Sequence, residues 1–103
     1  MKKIEEYADY MEDEIKDACK YAKKALEFKD SDKEAAQVYF QNSIEELEHA
    51  HRFHKLAVAT IKKLEDQGLT PEPWMIKEYE RRHKRAIDAE LEVKMLQAMY
   101  REM

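Results

Sequence analysis

The sequence predicts an all-α protein of three long helices, and three observations carry that prediction. Glycine occurs once and proline twice in 103 residues, so the chain has few places to turn. Apolar residues recur at alternating spacings of three and four through three long stretches, the period of a helix with one buried face. The two interruptions, near Asp30 and Gly68, are short, so consecutive helices must be antiparallel neighbours. With 41% charged residues, the outer faces are expected to be solvated, and a chain of this length makes one domain, residues 1–103.

The same composition excludes several function classes. A net charge of −4 gives no general case for nucleic acid or an anionic membrane. A single cysteine excludes an intrachain disulfide framework and any four-cysteine iron or zinc centre. No apolar run approaches the ~20 residues of a membrane span. The start, Met1-Lys2-Lys3-Ile4-Glu5-Glu6, lacks the apolar core of a signal peptide, so a cytoplasmic protein is expected.

The first helix is expected over 3–28. Tyr7, Met11, Glu14, Ala18, Tyr21, Ala25 and Phe28 form a seam, widened by Ile4, Ala8, Ile15, Cys19, Ala22 and Leu26. Glu14 therefore stands where an apolar residue is expected. Burying a carboxylate costs several kcal/mol unless it is paired, so this position asks for a cation or a metal; the other reading is a wet seam edge or a lysine partner. Cys19, on the apolar face, reads as a buried core thiol.

The second helix is expected over 32–67, opened by a capping box of Ser31 with Glu34 and stopped by Gly68. Its seam reads Tyr39, Asn42, Glu46, His49, Phe53, Leu56 and Thr60, flanked by Ala36, Phe40, Leu47, Ala50, Ala57, Ile61 and Leu64. Residues three apart share a helix face, so Glu46 and His49 can reach one metal ion together. His51 belongs to an exposed stripe with Glu48 and Lys55, and His54 sits at the border. The pattern Glu-x-x-His occurs three times, as Glu46/His49, Glu48/His51 and Glu80/His83. Only the first has a carboxylate waiting opposite: a hairpin turning near position 30 sets Glu14 level with Glu46.

Glu14 with Tyr21 seven residues on, then Ala35-Ala36-Gln37-Val38-Tyr39-Phe40 and Glu45-Glu46-Leu47-Glu48-His49-Ala50-His51-Arg52-Phe53, resembles the first helical hairpin of the rubrerythrin and ferritin-like di-iron family. The resemblance covers roughly residues 10 to 57. It implies Glu14 as a terminal or chelating ligand, Glu46 as a metal-bridging carboxylate, His49 as a terminal nitrogen ligand, and Tyr21 as a redox-active aromatic or one that supports the ligands. The family's single-chain members carry two such hairpins, whereas here a third helix follows. Nothing resembles the cysteine-bearing rubredoxin domain of a full rubrerythrin.

The third helix is expected over 71–100, with proline in its first turn. Ile76, Tyr79, His83, Ala86/Ile87, Glu90, Val93/Lys94, Gln97 and Tyr100 make one stripe, with Leu91, Met95 and Ala98 beside it. A second turn near position 70 brings Glu90 to the level of Glu46 and His49, which makes it a further candidate ligand. Glu80/His83 is expected at the surface or an interface. Arg81, Arg82, Lys84 and Arg85 read as a solvated, ion-paired face rather than a nucleic-acid contact.

Stoichiometry then points to assembly. A di-iron carboxylate site takes roughly four glutamates and two histidines from four helices, and one hairpin offers Glu14, Glu46 and His49. Two copies supply the set, so a homodimer or higher even-numbered oligomer is expected, with the metals on the two-fold axis. This arrangement resembles the encapsulated ferritin-like branch of the family, without an evident targeting peptide after Arg101-Glu102-Met103. Glu90 completing a smaller site within one chain is the other arrangement. Carboxylates with one imidazole per metal suit Fe(II), with Mn(II) or Zn(II) as other occupants. The expected chemistry is oxidation of Fe(II) by oxygen or peroxide, for iron handling or peroxide detoxification. The competing expectation is a metal-free helical scaffold in which Glu14, Glu46 and His49 form a buried polar network that fixes dimer register.

Overall fold

Local chemistry sets both ends of the second helix and the start of the third. In the computed structural model, which describes residues 2–102, α1 spans Lys2–Phe28, α2 Lys33–Asp66 and α3 Pro73–Glu102, with no strand among the described residues. The α2 cap is Asp32 rather than Ser31: its carboxylate accepts the Ala35 N–H at 3.1 Å, taking one of the donors a helix start leaves unpaired. At the other end Gly68 takes φ +75°, donating to the Glu65 carbonyl, while Leu69 N–H reaches back to Leu64 O. Those two bonds are a Schellman stop, and glycine adopts the left-handed conformation it needs without a Cβ clash. Pro73 opens α3, where its missing N–H leaves no bond unmade.

The helices form a rod of 56 × 18 × 18 Å, with α3 packed more closely on α1 than on α2. Burial corrects the phase of the hairpin seam. The buried α1 residues are Ile4, Ala8, Met11, Ile15, Ala18, Ala22 and Ala25, an unbroken alternation of four and three. On α2, Ala36, Ser43, Ala50 and Ala57 recur every seven residues and are almost fully covered. Such a strict heptad seam of small residues lets two helices approach closely as a coiled coil. Tyr7, Glu14, Tyr21 and Phe28, and Tyr39, Asn42, Glu46 and His49 opposite, are thus only half-buried along one rim. Leu56 is exposed, and Thr60 bonds its carbonyl. Cys19 is half-buried beside the core rather than inside it.

Where the three helices meet, Ser43 ties them together. Its hydroxyl donates to Ala18 O at 2.7 Å and accepts from Gln97 Nε2 at 2.9 Å, so both buried polar side chains are satisfied. Met11, Ile15, Ala18, Leu47, Ala50, Ala86 and Val93 pack around this level. A second cluster of Ile4, Ala8, Ala57 and Tyr79 closes the far end. On α3, Leu91, Met95 and Ala98, expected beside the buried stripe, face outward. No helix among the described residues is long and apolar enough to cross a membrane.

Candidate metal centre

The α1–α2 turn sets the level of every residue on the rim, and it brings Glu14 opposite Glu46. His49 follows one turn along α2 on the same side. Its Nδ1 lies 3.6 Å from Glu14 Oε2 and 3.7 Å from Glu46 Oε1. The three ligand atoms all lie within 4.8 Å of one another, the one such group of acids, histidines or cysteine among the described residues. The side chains of Glu14, Glu46 and His49 keep 24, 21 and 43% of their surface exposed, so the cluster opens to one side. No Lys or Arg among the described residues pairs with either carboxylate. Two acids therefore converge on a single imidazole.

This donor set fits a divalent metal. Ligands about 2.0–2.2 Å from one ion stand roughly 3–4 Å apart, which matches the separations around His49. Two carboxylate oxygens and an imidazole nitrogen suit Fe(II), Mn(II) or Zn(II), and three ligands from one chain leave positions open. Aromatic pairs flank the cluster along the rim. Tyr10 and Phe53 meet at 5.1 Å between ring centroids on one side, and Tyr21 and Tyr39 stack at 6.1 Å on the other. Tyr21 stands two turns from Glu14, about 10 Å along the axis.

Glu90 lies elsewhere. It is level with the cluster, as the α2–α3 turn requires, but on the other side of α2, where it bonds His51 Nε2 and pairs with Lys94 at 3.4 Å. The reason is angular: His49 and His51 are two residues apart, about 200° around a helix, so α3 reaches the second and not the first. The arrangement in which Glu90 completes a site within one chain is therefore corrected. Further along the same seam, the His54 and His83 rings stack at 4.1 Å and His54 Nδ1 meets Tyr79 Oη at 2.9 Å. His83 is thus half-buried between helices. Burial, followed by the neighbouring His83, pushes the His54 imidazole below its ordinary pKa. Burial pushes the Tyr79 phenol up.

The basic cluster of α3 is ion-paired across helices rather than only along its own. Arg82 Nε and Nη2 donate to the two Glu12 oxygens at 3.0 Å each, Nη2 also meets Asp9, and Arg85 adds a bond to Glu12 at 2.7 Å. The Arg82 hydrogen bond, against the opposing effect of burial, holds the Glu12 carboxyl down at about 2. Arg82 is raised in turn by the same bond. The sequence offered a signal for this clasp, since Glu12 and Asp9 are three apart on the α1 face that turns away from Glu14.

Fold and cluster together define a class: an all-α three-helix chain with a half-open carboxylate–imidazole centre between its first two helices. Comparison with family models, with curated proteins and with solved structures finds no match for this chain.

Proposed function

We propose that this chain is a ferritin-like metal protein in which two copies pair their α1–α2 rims, so that Glu14, Glu46 and His49 of each contribute to one shared di-metal site. The observation that carries this reading is the convergence of two carboxylates on one imidazole, with no Lys or Arg among the described residues paired to either acid. Holding two anionic groups this close is unfavourable without a cation, and a divalent ion supplies the missing charge. Iron bound in the paired site would supply redox chemistry, the oxidation of Fe(II) coupled to reduction of oxygen or peroxide.

The chain's own residues supply the rest. Glu14 and Glu46 would hold the metal as hard oxygen donors. His49 presents Nδ1 as the nitrogen ligand, fixed by its place one turn from Glu46. The half-exposed aromatics Tyr10, Phe53, Tyr21 and Tyr39 border the cluster and, covered by a second copy, exclude water from it. A second reading has its own support: His49 Nδ1 lies 3.6 and 3.7 Å from carboxylate oxygens of Glu14 and Glu46, a polar triad that suits a metal-free scaffold using the network to set register.

Metal analysis separates the two. Protein loaded anaerobically with Fe(II) is expected to retain about one metal per chain, and Glu46→Ala and His49→Ala to retain almost none. Bound metal at saturation also raises thermal stability, by about 4 kcal/mol at a free concentration a thousand times Kd. A near-zero stoichiometry in the wild type overturns the metal reading. Metal bound by a chain whose solution mass stays monomeric overturns the shared site while leaving the ligands in place.

A further inference from the structure

The α3 helix is apolar on two sides, and only one of them is used by the fold. Tyr79, Ala86, Val93 and Gln97 are buried inward, whereas Ile87, Leu91, Met95 and Met99 keep 44, 55, 67 and 50% of their surface exposed. At 100° per residue, Leu91 and Met95 each stand about 160° from Val93, so they mark the outer face of the helix. Four large apolar side chains in one exposed stripe make a patch on the order of a few hundred Å², the kind that marks an interaction site on a small protein.

The stripe has an internal symmetry that identifies its occupant. Lys84, Asp88, Leu91, Met95, Ala98 and Glu102 are spaced four, three, four, three, four along the outer face, a heptad seam that reads the same from either end about position 93. A second copy laid antiparallel on a two-fold axis at Val93 sets Leu91 against the partner's Met95 and Ile87 against the partner's Met99. The same operation sets Lys84 against the partner's Glu102 at both ends of the seam. A parallel pairing instead sets lysine on lysine and glutamate on glutamate, which repel. Asp88 meets the partner's Ala98 within the seam, one turn in from each end, and this polar position weakens the contact.

We infer that the outer face of α3 is a self-complementary dimer interface, occupied by the same face of a second copy in antiparallel register. A two-fold contact requires one patch complementary to itself, and both the apolar spacing and the end charges meet that condition. Because α3 packs on the Glu12 side of α1, this face is separate from the Glu14/Glu46/His49 rim and needs no metal. The contact is small by the standard of stable complexes, so the association is weak and concentration-dependent.

Sedimentation equilibrium on the full chain in chelator tests it. The wild type is expected to self-associate in the micromolar range or above, and Leu91→Lys/Met95→Lys to weaken that association at least tenfold. If the rim also pairs copies without metal, the variant still loses one association step relative to the wild type. Both positions are exposed, so far-UV circular dichroism stays unchanged, and Leu91→Gln/Met95→Gln gives a milder version of the same loss. Register is read separately: Lys84→Glu weakens association several-fold, and Lys84→Glu/Glu102→Lys restores it. A wild type that stays monomeric, or a Leu91→Lys/Met95→Lys variant that associates equally well, overturns the interface. Failure of the double charge swap to restore association overturns the antiparallel register.

Discussion

Two groups of charged side chains flank α1, and they treat their carboxylates in opposite ways. On the α3 side, Glu12 receives three charge-assisted hydrogen bonds from Arg82 and Arg85, and its pKa falls to about 2. On the rim, two residues along the same helix, Glu14 faces a second carboxylate and a single imidazole. The first group is complete within the chain: each acid has its base, and the result is a strap between helices. The second is incomplete, with excess acid and an open side. Both groups are built on glutamate carboxylates, and what separates them is whether the chain supplies guanidinium partners for those carboxylates.

The contrast predicts opposite responses to substitution. The largest effect is expected from Arg82→Ala, which strands Glu12 and Asp9 and loosens α3 from α1. Chemical denaturation should show a loss of about 2–4 kcal/mol, the range for removing one partner of a part-buried ion pair. An unchanged midpoint would reduce the strap to a surface pair.

Acid should dismantle the molecule in two stages. His54 has a lowered pKa, so the folded state favours its neutral form. Its contribution is complete above the ordinary value of 6.5 and is lost as pH falls below it. Glu12 has a lowered pKa as a carboxylate, so its contribution is complete above 4.5 and lost as pH falls toward about 2. Stability measured against pH should therefore decline first between roughly neutral and mildly acidic pH, then again below 4.5. His54→Phe should flatten the upper stage and Glu12→Gln the lower. A single stage that both variants leave unaltered would break the assignment.

The smallest effect carries the sharpest contrast. In chelator, Glu46→Gln should leave the protein as stable or stabilise it by about 0.5 kcal/mol, because it removes one of two like charges. Glu12→Gln on the other side should destabilise it. A clear loss of stability in metal-free Glu46→Gln would show that the rim triad is structural.

Much of the fold was legible because its signals are local. Gly68 and Pro73 mark the helix ends by backbone geometry alone, and the turn near position 30 fixes which residues of α1 and α2 share a level. That turn is why Glu14 could be set beside Glu46 and His49 from spacing. Angular placement around each helix was harder. Large residues drew the seam toward Tyr7, Tyr21 and Tyr39, whereas the true centre is alanine and serine, whose small size permits the closest approach and whose hydropathy says little. The repeat of Ala36, Ser43, Ala50 and Ala57 at intervals of seven was the signal that would have corrected it. Glu90 went astray for a related reason: level along the rod follows from turn position, but the side of α2 on which α3 lies, where Arg82 meets Glu12 of α1, is not shown by any periodicity.

An alanine seam has a weakness of its own. On α2 the small side chains Ala36, Ser43, Ala50 and Ala57 repeat every seven residues, so this face of the helix presents almost the same surface after sliding by one repeat, about 10 Å, and its shape alone scarcely distinguishes one alignment from the next. Ser43 breaks that degeneracy, since its hydroxyl finds Ala18 O and Gln97 Nε2 only in one alignment. It acts as an index pin in an otherwise slippery joint. A buried hydroxyl one helical turn from Glu46 thereby helps decide whether Glu14 ever meets Glu46.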